Sequence, residues 1–569
     1  MSDIGRYSIT SEDFADFLID YDGNMDTFNE FPDGFINFIN SEYAVLHTPV
    51  SYMNVDTIST FGYSAIPCLF GLQTDIATDY ANVVTPTPVS SHQLTGRDIL
   101  LGIVDTGIDY LNPAFMRPDG TSRIAAIWDQ TIESEQYPEG MNYGTEYSNQ
   151  DINEALTLPN PLSKVPSMDD IGHGTKLAGI AGGSGVRDVE FSGIAPNVEF
   201  VIVKLKQAKQ YLRDFFYIPE GAPCYEENDI MMGVRYLFEY SEKVHRPLSI
   251  CLGIGTSQGE HTGSGFLSSF LSSYASYFGS CICVPAGNES SRGHHYYKTL
   301  TPNVNFDTID LNIDRNNKGF TMELYSLPPS ELLVEVYAPG GELVTRVPSL
   351  EGRKTVQASY RDTSIIIDYD ANKDTLSQRQ ITIFRIKNPV PGIWKLIVYG
   401  TARFNSSFHM WLPIAPFISP DTFFVNSNNN TTITAPGNTL RLMTVTAYNP
   451  FSTNLYYYAG KGNTATGEPK PDFAAPGVNM LVPDLENTFI QSSGTSLASA
   501  YTAGIAALLL EWGVIHEQTL LITTVTVKWL FTMTARRIPR MEYPNPDWGY
   551  GILDFDKALE LLRTETELP

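Results

Sequence analysis

The polarity pattern of this chain changes character along its length. Between Asp98 and Asn288, short uninterrupted apolar runs recur, each closed by a turn: DILLGIVDTG, EFVIVKL, PLSICLGIG and SCICVPAGN. Runs of this kind, without alternation, mark strands buried on both faces. Helix-like stretches lie between them, such as Asn228 to Val244. Alternating strands and helices predict an α/β fold, a parallel sheet flanked by helices, with chemistry collected at the carboxyl ends of the strands. From about 305 to 415 the runs ELLVEVYAPGG, TSIIIDYD, RQITIFRI and GIWKLIVYG are parted by turn residues with no helix between them. They predict an all-β insert of sandwich or jelly-roll type. The α/β pattern resumes with RLMTVTAYN, and helices are expected over Ser496–Trp512 and Phe555–Arg563.

The first 65 residues are acidic and rich in aromatics, with Phe14, Phe17 and Leu18 spaced as one face of a short helix. So small a piece would be marginal alone. Residues 66–98, dense in Thr, Pro and Ser (VVTPTPVSSHQLTG), read as a connector.

Composition narrows the function. At 569 residues and 42% hydrophobic, the chain has ample core material. Its net charge of −27 opposes binding to nucleic acid, whose phosphates call for Lys and Arg, and to an anionic membrane surface. The five cysteines form no CxxC pair, so neither a disulfide scaffold nor a zinc site is expected. Cys281 and Cys283, two apart on an apolar strand, should share a face as inert thiols. No Asp-rich loop specific enough for calcium is present, so neither metal nor cofactor is expected. The N-terminus, MSDIGRYSITSEDFADFLID, carries acids where an export signal needs a basic segment. The apolar stretch Ala503–Leu510 falls short of the about 20 residues a membrane span needs. Synthesis in the cytoplasm and no membrane span are the expectations.

Three motifs carry chemistry together. Val104-Asp105-Thr106-Gly107-Ile108-Asp109 puts an Asp at a strand end. Gly172-His173-Gly174-Thr175 lets the backbone bring a His ring close to other groups. Gly494-Thr495-Ser496-Leu497-Ala498-Ser499-Ala500 starts a small-residue helix on a Ser. Singly each is weak. Together they supply a hydroxyl nucleophile, the imidazole base that it needs at neutral pH, and a carboxylate to fix the tautomer of that base. Asp, His, Ser is one of the known chain orders for such a triad. Val284-Pro285-Ala286-Gly287-Asn288-Glu289 adds an Asn able to donate to a tetrahedral oxyanion.

These motifs, with KPDFAAPG at Lys470–Gly477, resemble those of the subtilisin-like serine proteases. The resemblance covers about 98–305 and 430–560. It implies Asp105 as orienter, His173 as base and acid, Ser496 as nucleophile and Asn288 as oxyanion donor. It also implies Leu252, Gly253, Ala286 and Gly287 as walls of the substrate site. Cys251 stands where a small residue such as Ser is common, and Asn112 where a His often follows the Asp motif. The stretches LRDFFYIPEGAPCYEENDIMMGVRYL, ICLGIGTSQGEHTG and GNESSRGHHYY further resemble the clostridial germination proteases of the Csp group and Csp-like subtilases. That likeness implies a prodomain over 1–64, a catalytic domain over 65–304 and 421–569, and a jelly-roll insert over 305–420. It implies self-cleavage of the prodomain, which stays bound. GYSAIPCLFGL, Gly62–Leu72, resembles the processing region and puts the cut near Tyr63 or Ser64. Further partners implied are a protein or peptide substrate, among them the precursor of a spore cortex-lytic hydrolase, and the implied place of action is the spore. A silent pseudoprotease of the same family is the alternative; an esterase would carry a GxSxG elbow instead of the G-T-S-L-A around Ser496.

Overall fold

The computed structural model describes residues 3–30, 34–54, 57–73, 75–76, 83–86, 93–326, 330, 332–347, 353–370, 380–401, 403–518 and 522–566. The expected alternation produces a nine-stranded sheet. Six strands run parallel in the order Met443–Asn449, Ser280–Pro285, Leu248–Leu252, Leu100–Asp105, Glu199–Lys204, Ile124–Asp129. Phe473–Pro476 also pairs in parallel with Met443–Asn449, and the strands Asn454–Leu455 and Thr145–Ser148 pair antiparallel at the ends. Leu100–Asp105 comes first of these in the chain yet lies mid-sheet, so later strands are added on both of its sides. Strand order therefore reverses there, and such a reversal opens a crevice at the carboxyl edge.

Side chains alternate across the sheet. Leu101 and Ile103 pack on one face with Leu177 and Ile180 of the helix His173–Gly182 and with Leu497, Ala500 and Leu508 of the helix Thr495–Leu510. Leu100 and Val104 pack on the other with Leu237 of Glu227–Val244 and Phe270 of Phe266–Tyr274. Cys281 and Cys283 both lie in the first of these cores, and all five cysteines are free. Thr495–Ile515 is the one helical stretch among the described residues long and apolar enough to cross a membrane, and 83% of its most apolar 18 residues is buried against the rest of the protein.

The N-terminal expectation fails locally. Phe14, Phe17 and Leu18 lie on a strand, Phe14–Asp20, which pairs antiparallel with Tyr43–Pro49; Phe35–Phe38 lines the far side. The little sheet is covered on both faces. Phe17 enters a core with Leu69 and Phe417, while Leu18 enters the core under Glu227–Val244. A strand buried on both faces loses its alternation, so its apolar residues fall at spacings that also fit a helix.

The region expected to be all-β comprises two antiparallel sheets around one core. Six strands run from His295–Leu300 through Ser406–Trp411 to Arg353–Tyr360, and five from Leu343–Val347 to Phe423–Phe424. Phe320, Leu324, Phe384, Trp394 and Val398 fill the space between them. The strands begin before and end beyond the expected 305–420. His295–Leu300 is polar on its outer face and was masked by the loop-like GHHYY. The stretch read as a connector also holds strands, Leu69–Leu72 and Asp75–Ile76. Residues 74, 77–82 and 87–92 of it lie outside the described residues.

Candidate active site

Asp105 ends its strand at the mid-sheet crevice. Gly107 follows with φ of +109°, a left-handed turn that glycine takes without strain. The turn then meets the His motif at very close range. A Cβ on Gly174 would lie 2.2 Å from the Gly107 carbonyl oxygen, so only glycine fits. Hydrogen bonds lock the two motifs together. Gly174 N–H donates to Thr106 Oγ1 at 2.9 Å, and Asp109 N–H to Thr175 Oγ1 at 2.9 Å. Asp169 Oδ2 in turn accepts from the Thr175 hydroxyl at 2.7 Å.

His173 thereby stands between its partners. Its Nδ1 lies 2.7 Å from Asp105 Oδ1, and its Nε2 lies 3.3 Å from Ser496 Oγ. A carboxylate only accepts, so Nδ1 carries the proton and Nε2 is left as the base. Asp105 Oδ1 also accepts from Thr106 N–H at 2.8 Å, which fixes the carboxylate plane. All three side chains are buried. Ser496 occupies the first turn of Thr495–Leu510, where N–H groups that point out of the helix and the helix dipole favour negative charge.

The oxyanion side is equally built. Asn288 Oδ1 accepts from Thr495 Oγ1 at 2.9 Å and from Thr495 N–H at 3.2 Å. With its oxygen engaged, Asn288 has its amide Nδ2 hydrogens to offer. Gly287 N–H donates to Thr495 Oγ1 at 3.1 Å, tying the loop to the helix start. Gly253 borders the triad directly. A Cβ there would lie 2.7 Å from Asp105 Oδ2 and 2.8 Å from His173 Cε1. Leu252 points away from the triad into the core beneath Glu227–Val244. Ala286 is buried, and its N–H and carbonyl bond to Val445 and Thr434.

A profile of the subtilase family matches residues 96–309 and 405–552, more than half of the protein. The chain belongs to the subtilase family. The break in the match falls on the two-sheet region. The solved structure of the Clostridium perfringens CspB protease is 29% identical to this subtilase and superposes with a TM-score of 0.74, over 84% of this chain and 95% of that one. The C5a peptidase of Streptococcus pyogenes is 23% identical over 437 residues, 73% of this chain and 35% of that protein. This subtilase thus spans about a third of the length of that curated relative. Serine protease AprX of Bacillus subtilis is 33% identical over 100 residues, 14% of this chain and 23% of its own.

The cleft of this subtilase is filled by its own chain. Leu69–Leu72 lies as a middle strand, antiparallel to Tyr225–Glu226 on one side and to Ile254–Gly255 on the other. Gln73 follows it into the triad. Its N–H donates to the Gly253 carbonyl at 3.2 Å, and its carbonyl oxygen lies 2.9 Å from Ser496 Oγ and 3.4 Å from Ser496 N. The Gln73 side chain is buried. Its Oε1 accepts from Asn288 N–H at 3.0 Å and its Nε2 donates to the Gly255 carbonyl at 3.4 Å. Past the cleft, Asp75–Ile76 pairs with Ser492–Ser493.

Tyr63 and Ser64, the expected processing positions, are not beside Ser496. The Tyr63 hydroxyl donates to Glu323 of the two-sheet region, and the Tyr63 ring packs edge-on against Phe216. Burial pushes the Glu323 carboxyl up to about 7. The position at the nucleophile falls nine residues beyond Ser64 because pairing with Ile254–Gly255 sets the register, and that strand is remote in sequence. Gln73 itself carried no local signal.

Three sequence-marked features have structural places. Lys470 of KPDFAAPG is buried with Asp472 at 2.7 Å and Thr444 Oγ1 at 2.6 Å, where it clamps the edge of the large sheet. Burial pulls its ammonium down to about 7 against the pull of Asp472. Cys251 faces Ser499 of the serine helix, 3.8 Å away and behind the cleft, its thiol pushed up to about 12 by burial. It therefore does not line the pocket that holds Gln73. Asn112 Oδ1 accepts from Ala114 N–H at 3.0 Å and caps the turn after the Asp motif.

Proposed function

We propose that this subtilase is a serine endopeptidase that works through an acyl-enzyme at Ser496, and that it cuts its own chain after Gln73. The observation that carries this reading is the Gln73 carbonyl, held against Ser496 Oγ by a strand paired on both sides. Rotation of the hydroxyl delivers its hydrogen to His173 Nε2, and Oγ then adds to the Gln73 carbonyl carbon. Negative charge builds on the Gln73 oxygen between Ser496 N–H and the Asn288 amide. The imidazolium is stabilised by Asp105 and returns its proton to the leaving nitrogen of residue 74. Water, activated by the same imidazole, then releases Gln73 as a free carboxylate.

The Gln73 carboxamide meets one donor and one acceptor of the main chain, which supports glutamine as the preferred residue before the cut. After the cut, residues 3–73 keep their contacts, so the N-terminal segment acts as a bound prodomain and the cleft stays occupied. The sequence resemblance to the clostridial germination proteases supports a role within a spore, with the precursor of a cortex-lytic hydrolase as substrate, and the likeness in fold to the CspB protease fits a protease of that kind.

Wild type and Ser496→Ala, expressed side by side and read by intact mass, test the reading. The expected result is a fragment beginning at Thr74 in the wild type alone. Cleavage in both, or in neither, sinks self-processing. Labelling of Ser496 by a fluorophosphonate then separates an active enzyme from a silent relative.

A further inference from the structure

The strand in the cleft is roofed at one position by the segment that joins Ser406–Trp411 to Phe423–Phe424 of the two-sheet region. Gly71 is the third residue before the proposed cut. A Cβ on it would lie 2.6 Å from Ile414 Cδ1 and 3.1 Å from Phe417 Cζ. Real side chains do not approach so closely, so one of these groups would have to retreat.

Both side chains are enclosed by packing, so a retreat disturbs a core. Ile414 and Phe417 are 1% and 2% exposed, and they share a core with Phe17, Leu46 and Leu69. Their backbone is tied down as well. Phe417 N–H donates to the Ile414 carbonyl at 2.8 Å, and Ala415 N–H donates to Glu289 at 3.1 Å. Glu289 is the neighbour of Asn288, so the roof and the oxyanion loop are braced against each other. Gly71 has no positive φ, so its backbone does not itself demand glycine.

We propose that Ile414 and Phe417 make this cleft selective for glycine at the third residue before the cut. The substrates admitted are protein segments with glycine there, and the two-sheet region sets the selectivity of a site it does not form. This rests on the reading that the cut follows Gln73.

The test uses the full chain as its own substrate. Gly71→Ala should slow self-cleavage roughly 10–200-fold, the range one misfitted methyl group imposes on an enzyme's choice of substrate. Gly71→Ala with Ile414→Ala should cleave faster than Gly71→Ala alone, because the roof has withdrawn. Cleavage of Gly71→Ala at the wild-type rate, or no recovery in the double variant, overturns the proposal. A second readout does not depend on activity. In the uncleavable Ser496→Ala chain, Gly71→Ala should lower the melting temperature, and by less when Ile414→Ala is also present. Alanine in a strand that accepts it stabilises by restricting the unfolded chain, so a drop reports crowding. Equal shifts with and without Ile414→Ala overturn the roof. If the wild-type chain never cleaves, self-processing fails, and the melting comparison still decides the roof.

Discussion

The N-terminal segment meets the rest of the protein in two seats of opposite character. At the cleft, Leu69–Gln73 carries no charge and is held by backbone hydrogen bonds, the Gln73 carboxamide and the packing of Leu69 and Phe70. At the little sheet, apolar contacts of Phe17 and Leu18 enclose a buried set of charges. Asp16 Oδ1 lies 2.6 Å from Lys209 Nζ and 2.7 Å from His47 Nδ1, and Lys209 also donates to the Phe14 carbonyl at 3.2 Å. Lys206 and Asp229 pair nearby at 2.6 Å. Lys209 and His47 hold the Asp16 carboxyl well below its usual range against the burial that would raise it. The first seat suits any extended strand that fits its pockets, which is what a substrate site requires. The second recognises one partner, because a buried charge without its mate is costly. A cut after Gln73 severs the covalent link and leaves the second seat whole.

The comparison can be broken from either side. The largest effect is expected for Asp105→Asn, which should slow self-cleavage about 10⁴-fold by fixing the wrong His173 tautomer. The segment should still elute with the remainder of any chain that is cut. Lys209→Met takes the paired ammonium from Asp16, which keeps only the His47 and Asn228 side chains against it, and should cost about 3–5 kcal/mol. Here cleavage should proceed and the N-terminal fragment should separate in size-exclusion chromatography; co-elution would show that the ionic seat is not what retains it. Asn288→Ala should slow cleavage roughly 10²–10³-fold while leaving retention unchanged.

The smallest effect concerns pH. Glu323 accepts from Tyr63 and titrates near 7 when folded, above its ordinary 4.5. A raised value means that the folded chain prefers the neutral acid, so this contribution is intact below about 4.5 and lost as pH rises through 7. Glu323→Gln should therefore gain stability relative to its parent between those limits, by at most about 3 kcal/mol. Chemical denaturation of the Ser496→Ala chain at pH 5 and pH 8 measures it. A difference that does not change with pH would show that Glu323 is not titrating there. His47, whose protonation burial disfavours, and Glu226, which burial pushes up to about 8, titrate in parent and variant alike and cancel in the difference.

Much of this was legible in the chain. The apolar runs named five of the six central parallel strands, all but Ile124–Asp129, and three short motifs pointed to Asp105, His173 and Ser496, which the fold brings within hydrogen-bond reach. Each motif is local: a glycine must stand where two backbones nearly touch, as Gly174 does over Gly107. The N-terminal strand was misread because burial on both faces erases the period of two. Tyr63 and Ser64, where the cut was expected, lie away from Ser496, and nothing around Gln73 marks it locally as the residue over the nucleophile.

What the amino-acid sequence determined by itself was the chemistry available and the sheet that carries it, since apolar runs and glycine turns act on their immediate neighbours. What only the tertiary structure decided was which residue lies over the nucleophile, what roofs it and what keeps the N-terminal segment in place. Gln73 is set by pairing with Ile254–Gly255, Gly71 by Ile414 and Phe417, and Asp16 by Lys209. Each of these contacts joins residues far apart in the chain, and their energies exist only once folding has paired the strands and driven the charges out of water.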